Sequence, residues 1–226
     1  MAETPEKKLS FQAAPGAGEV SALLVRPPRA ERLYVLAHGA GAPMTHPFLA
    51  AVAHGLAARR IATFRYNFPY MESGKRRPDV PRVLEGTVRS AVAAANEAAG
   101  DLPFLAGGKS MGGRITSQAA AQAPLPNVRG IVFLGFPLHP PGKPATTRGD
   151  HLAGVSVPML FLQGTRDNLA DLDLLKEVLR PNRSATLHVV QGADHSFHVL
   201  KRSGRTDEQV LDELTDQTRK WAGGLR

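Results

Sequence analysis

Six apolar runs of strand length alternate with stretches of helical periodicity along this chain, and that rhythm limits its fold more than any other feature. The runs are Leu33–Ala37, Ile61–Tyr66, Leu102–Ala106, Val128–Leu134, Val157–Leu162 and Ala185–Val190. They are apolar along most of their length, as strands covered on both faces by helices are. Between them, Phe48, Val52 and Leu56 recur at helical spacing, as do Val88, Val92 and Ala95, then Ile115 and Ala119, then Leu172, Leu175 and Leu179. A last helix opens at Thr206 with Gln209 three residues on, a capping box, and carries Val210, Leu214 and Trp221. A βαβα rhythm predicts a mostly parallel central sheet with helices on both faces. Two further strands are expected around Leu9–Ala13 and Val20–Arg26, ahead of the repeating part. Residues 1–8 read as a flexible tail and residues 9–226 as one domain, which suits a chain of 226 residues.

Composition removes several chemistries. There is no cysteine, so disulfides, thiolate catalysis and cysteine-based zinc sites are excluded. No histidine pair has metal-ligand spacing together with a carboxylate, and neither a metal nor another cofactor is expected. The formal charge is +8, yet the basic residues are scattered and aromatics make up only 6%, so no nucleic-acid partner is expected. The opening residues hold no apolar signal core, and nowhere is there an apolar run of the ~18 residues that a membrane span needs. A cytoplasmic protein with no membrane partner is the expectation.

The chemistry concentrates after the strand runs. Gly108-Lys109-Ser110-Met111-Gly112 fits G-x-S-x-G and lies between a strand run and a helical stretch. A sharp strand-to-helix turn there would expose the Ser110 hydroxyl at the carboxyl edge of the sheet. A serine hydroxyl needs a base, and the base needs an orienting acid. Asp167 follows the run Val157–Leu162 and His195 follows Ala185–Val190, so all three residues fall at the same sheet edge. Asp171 and Asp173 are weaker candidates for the acid, and the remaining histidines, His38 among them, read as structural or surface residues. For the oxyanion, the backbone N–H of Met111 is one expected donor. The other comes from the loop His38-Gly39-Ala40-Gly41-Ala42, with Ala40 preferred and Gly41 the alternative.

These segments, together with Phe68-Pro69-Tyr70, Gly107-Gly108-Lys109-Ser110-Met111-Gly112-Gly113-Arg114, Gly164-Thr165-Arg166-Asp167 and Gly192-Ala193-Asp194-His195-Ser196-Phe197, resemble the small KANL/Tex-type α/β-hydrolase family, close to dienelactone-hydrolase-like enzymes. The resemblance runs from about residue 20 to 222. It implies a single-domain α/β-hydrolase fold with Ser110, Asp167 and His195 as a triad. Dienelactone hydrolases proper use a cysteine nucleophile, so that specific activity is not carried over. Between Gly135 and Ser156 the interval is short and proline-rich, which predicts little or no cap domain. Arg65, Lys109, Arg114 and Arg166 fall near strand ends, and with Gly41 they are candidates for substrate binding. Together they suggest a basic rim, and hence a small ester substrate that carries an anionic group.

Overall fold

The computed structural model describes residues 4–225. Eight strands form one sheet: β1 (Glu6–Gln12), β2 (Glu19–Val25), β3 (Arg32–Ala37), β4 (Ile61–Tyr66), β5 (Phe104–Lys109), β6 (Val128–Leu134), β7 (Met159–Gly164) and β8 (Ala185–Val190). Their order across the sheet is β1-β2-β4-β3-β5-β6-β7-β8. From β4 to β8 every neighbouring pair is parallel. Only β2 runs against the rest, pairing antiparallel with both β1 and β4.

Helices cover both faces. On one side lie α1 (Pro47–Ala57) and α6 (Asp207–Gly223), which bury Leu49, Val52, Leu56, Val210 and Leu214 against Tyr34, Leu36, Val132 and Leu162. On the other lie α3 (Pro81–Ala99), α4 (Met111–Gln122) and α5 (Leu172–Leu179), whose Val88, Val92, Ile115, Ala119 and Leu175 pack on Val35, Phe64, Phe133 and Phe161. One further helical turn, α2 (Pro69–Glu72), precedes α3. The capping box of α6 is formed: Thr206 Oγ1 accepts from the Gln209 N–H, and Gln209 Oε1 accepts from the Thr206 N–H. Truncating one of the fully buried leucines in either layer should cost about 2–5 kcal/mol.

Two boundaries move for a common reason. β5 and β7 begin at Phe104 and Met159, two residues later than the apolar runs suggest, because Pro103 and Pro158 have no N–H for a central ladder. At its other end the β5 ladder runs on past Ala106 to Lys109, opposite Leu134, and delivers Ser110 directly after it. A third boundary corrects the expected tail. Glu6, Lys7 and Lys8 are already paired, opposite Val25, Leu24 and Leu23, so the first strand begins inside the segment read as flexible. Residues 1–3 lie outside the described residues. Part of the proline-rich interval between Gly135 and Ser156 is a 3₁₀ helix over Thr147–Gly154 that docks on α4, with His151 Nε2 2.7 Å from Ser117 Oγ.

Candidate active site

Four loops meet at the carboxyl edge of the parallel strands. The first is the turn between β5 and α4. Ser110 there has φ 50° and ψ −117°, a conformation in which a side chain is strained. The flanking glycines are dictated by space. A Cβ on Gly108 would lie 2.2 Å from the Ala37 carbonyl oxygen, and one on Gly112 would lie 2.5 Å from that of His38. The turn is thus pressed against the end of β3, which leaves the Ser110 hydroxyl on its outer side.

The second loop follows β8. Asp194 accepts the backbone N–H groups of Ser196 and His198 on Oδ1, at 2.8 and 3.0 Å, and so shapes the loop rather than orienting its neighbour. The His195 ring bridges two loops, with Nε2 2.8 Å from Ser110 Oγ and Nδ1 2.7 Å from Asp167 Oδ2. With the proton on Nδ1, the ring donates to the carboxylate and accepts from the hydroxyl. The third loop, after β7, carries Asp167, whose carboxylate is fully buried. That burial is met by donors: Gln163 Nε2 at 2.6 Å and the Leu169 N–H at 2.8 Å. Gln163 in turn accepts the Phe136 N–H at 2.8 Å. Sequence reasoning passed over Gln163. The signal was present, since it is the one polar side chain inside β7, and a buried amide must be hydrogen-bonded. Asp171 and Asp173 are engaged elsewhere, the first capping α5 and the second pairing with Lys176.

The fourth loop follows β3. His38 is buried beneath it, donating from Nδ1 to the Gly39 carbonyl at 2.7 Å and accepting the Phe68 N–H on Nε2 at 3.0 Å. Burial pushes its pKa down to about 4, so the neutral ring that makes both bonds persists. Above it, Ala40 is exposed and borders the cleft beside Ser110. Met111 is the first residue of α4, where a backbone N–H has no acceptor within the helix. Gly41, at φ 77°, is exposed but does not line the cleft.

The cleft itself has a volume of about 340 Å³. Ala40, Ala42, Phe48, Leu49 and Leu169 supply apolar walls, and Ser110 and His195 stand on its floor. Phe48 stacks on Phe197 with ring centroids 5.7 Å apart, joining α1 to the histidine loop. No described residue between Gly135 and Ser156 borders the cleft. That segment is held aside, with the His139 N–H bonded to the Leu169 carbonyl and His139 Nε2 to the Asp171 N–H.

The expected basic rim is not assembled. Arg65 is wholly buried in β4, where it donates to the Met44 carbonyl at 3.0 Å and pairs with Glu6. Arg114 lies one turn into α4, donates to Gln118 and does not reach the cleft. Arg166 donates to the Gly192 carbonyl at 3.0 Å and ties the acid loop to the histidine loop. Lys109 borders the cleft, but its ammonium turns inward to the His195 carbonyl at 2.7 Å. Among the described residues, no three His, Asp or Glu side chains gather as a metal site would require. No described helix is long and apolar enough to cross a membrane.

Residues 30–223 match the model of a family described as alpha/beta hydrolase domain. Among solved structures, a dienelactone hydrolase from Anabaena variabilis is 21% identical over 100% of both chains, with a TM-score of 0.80. A serine hydrolase from Xanthomonas campestris, described as lacking a lid, is 17% identical over 98% of this chain and 97% of its own, with a TM-score of 0.75. The esterase domain of a Rhodothermus marinus protein is 14% identical over 98% and 99%, with a TM-score of 0.73. At these identities the likeness speaks to the fold.

Proposed function

Because the chain belongs to the alpha/beta hydrolase domain family, we propose that it is a serine hydrolase of small esters, with Ser110, His195 and Asp167 as its catalytic triad. The observation that carries this reading is the unbroken hydrogen-bonded path from the buried Asp167 carboxylate through the His195 ring to the Ser110 hydroxyl at the cleft floor. In the reaction, Ser110 Oγ attacks the ester carbonyl carbon while its proton passes to His195 Nε2. Asp167 holds the ring in the tautomer that can accept that proton and stabilises the imidazolium. The carbonyl oxygen becomes an oxyanion facing the N–H groups of Met111 and Ala40. His195 returns the proton to the departing alcohol, leaving an acyl-Ser110 ester. Water then attacks the acyl group, giving one proton to His195, which passes it to Ser110 Oγ as the carboxylic acid is released and the free serine is restored.

The cleft volume lies at the small end for ligand sites, and its lining is mostly apolar, with His46, Lys109 and Ser196 at its polar points. Short neutral acyl groups therefore fit better than the anionic substrates suggested by the scattered arginines. Labelling with a fluorophosphonate probe tests the assignment. The wild type should label and S110A should not. A folded wild type that fails to label would instead favour a non-catalytic scaffold. With a labelled enzyme, a panel of matched esters, thioesters and amides, neutral and carboxylate-bearing, ranks the substrate class.

A further inference from the structure

The proposed nucleophile and base follow strands that are not neighbours in the sheet. Ser110 follows β5 and His195 follows β8, with β6 and β7 between them, so no ladder bond joins their loops. Lys109, the residue before the serine, crosses that gap. Its Nζ donates to the His195 carbonyl at 2.7 Å and lies 5.6 Å from the centre of the Phe197 ring. Glycine at residue 135, just past β6, leaves room beside the ammonium. A Cβ there would come within 3.3 Å of Lys109 Nζ and 3.5 Å of the His195 ring. Phe197 also holds φ 64°, an unfavourable value for an aromatic residue, so its loop needs external support to keep its shape.

Resting on the triad reading, we propose that Lys109 is a positioning residue: its ammonium ties the histidine loop to the nucleophile turn across the two intervening strands, and full activity requires that tie in its charged form. A charged donor makes a hydrogen bond roughly twice as strong as a neutral one. The charged and titratable groups around the ammonium are Asp167 on the β7 turn, and Asp194 and His195 on the β8 loop. Gly39, Gly135 and Phe197 complete its surroundings without charge. Burial pushes the Lys109 pKa down to about 8, against the pull of Asp167 and Asp194, so the tie weakens just above neutral pH.

The chain has no cysteine, which permits an exact chemical rescue. K109C can be alkylated with 2-bromoethylamine while unfolded and then refolded, giving an ammonium of lysine's reach but lower basicity; wild type taken through the same cycle is the control. With p-nitrophenyl acetate, K109M should lose kcat by about 10- to 100-fold with KM changed less than about twofold. The wild-type decline centred near pH 8 should vanish in K109M. The alkylated variant should regain most of kcat, with the decline moved to lower pH. By hydrogen exchange, the Ser196, Phe197 and His198 amides of K109M should exchange faster while α4 is unaffected. A K109M kcat within twofold of wild type, a retained decline near pH 8, or unchanged loop exchange overturns the proposal. Should the wild type prove unreactive toward fluorophosphonate, the triad reading fails separately, and the exchange measurement alone decides whether the tie exists.

Discussion

Replacing Ser110 by glycine should leave the protein more stable than replacing it by alanine. Both variants lose the hydroxyl and its bond to His195, so they differ in a methyl group and in backbone freedom. At φ 50° and ψ −117°, a residue with a Cβ carries strain of order 1–3 kcal/mol. Glycine relieves that strain but loses more conformational entropy on folding, about 0.5–1 kcal/mol relative to alanine. The net advantage of S110G over S110A is then about 1 kcal/mol, and at most about 2.5 kcal/mol. For a domain of this size each kcal/mol corresponds to about 2–4 °C in Tm. Paired urea titrations and thermal melts of the two variants measure it without reference to any substrate. S110A equal to or more stable than S110G would refute the reasoning: the turn would then hold the serine without strain.

Other positions make separate demands. Q163L should cost about 1–3 kcal/mol in urea unfolding, because it leaves the Phe136 N–H unpaired in the interior and removes one of the two side-chain partners of Asp167 Oδ2; an unchanged midpoint would show that neither needs Gln163. G112A forces a Cβ toward the backbone oxygen of His38, which no rotamer change can relieve, and should destabilise by about 1–3 kcal/mol or more; a wild-type midpoint would contradict the close approach. His38 has a folded pKa of about 4, below its ordinary 6.5, so its contribution is complete above 6.5 and is lost as pH falls toward 4. At 1.36 kcal/mol per unit that is about 3 kcal/mol, read as the difference in pH dependence of unfolding between wild type and H38Q; parallel curves would refute it.

Much of the architecture was legible because it depends on local pattern. The limits of β4, β6 and β8 coincide with their apolar runs, and the capping box of α6 stands where Thr206 and Gln209 place it. The sheet edge on which Ser110, Asp167 and His195 converge could be read from their positions just past strand runs. Side-chain direction could not. Arg65 and Lys109 both sit near strand ends, as a basic rim would require. Yet the register of β4 turns Arg65 into the interior toward Glu6 and Met44, and the His195 carbonyl takes Lys109 inward beside Gly135. Both outcomes depend on residues distant in sequence. The pairing of Glu6 with Val25 was hidden for a different reason: Glu6, Lys7 and Lys8 form an exposed edge whose charge disguises a strand.

Sheet order also permits a sequence in time. Once β4 has paired, β3 takes β5 on its free side, and β6, β7 and β8 then join in chain order at one advancing edge. A chain leaving the ribosome can therefore pair β1 to β6 and close the strained Ser110 turn, whose N–H bonds the Leu134 carbonyl, before Asp167 and His195 have been made. Some 85 residues separate Ser110 from His195. At about 5–20 residues per second, their synthesis takes roughly 4–17 s. During that interval the proposed nucleophile stands without its proposed base, which arrives only after the last strand.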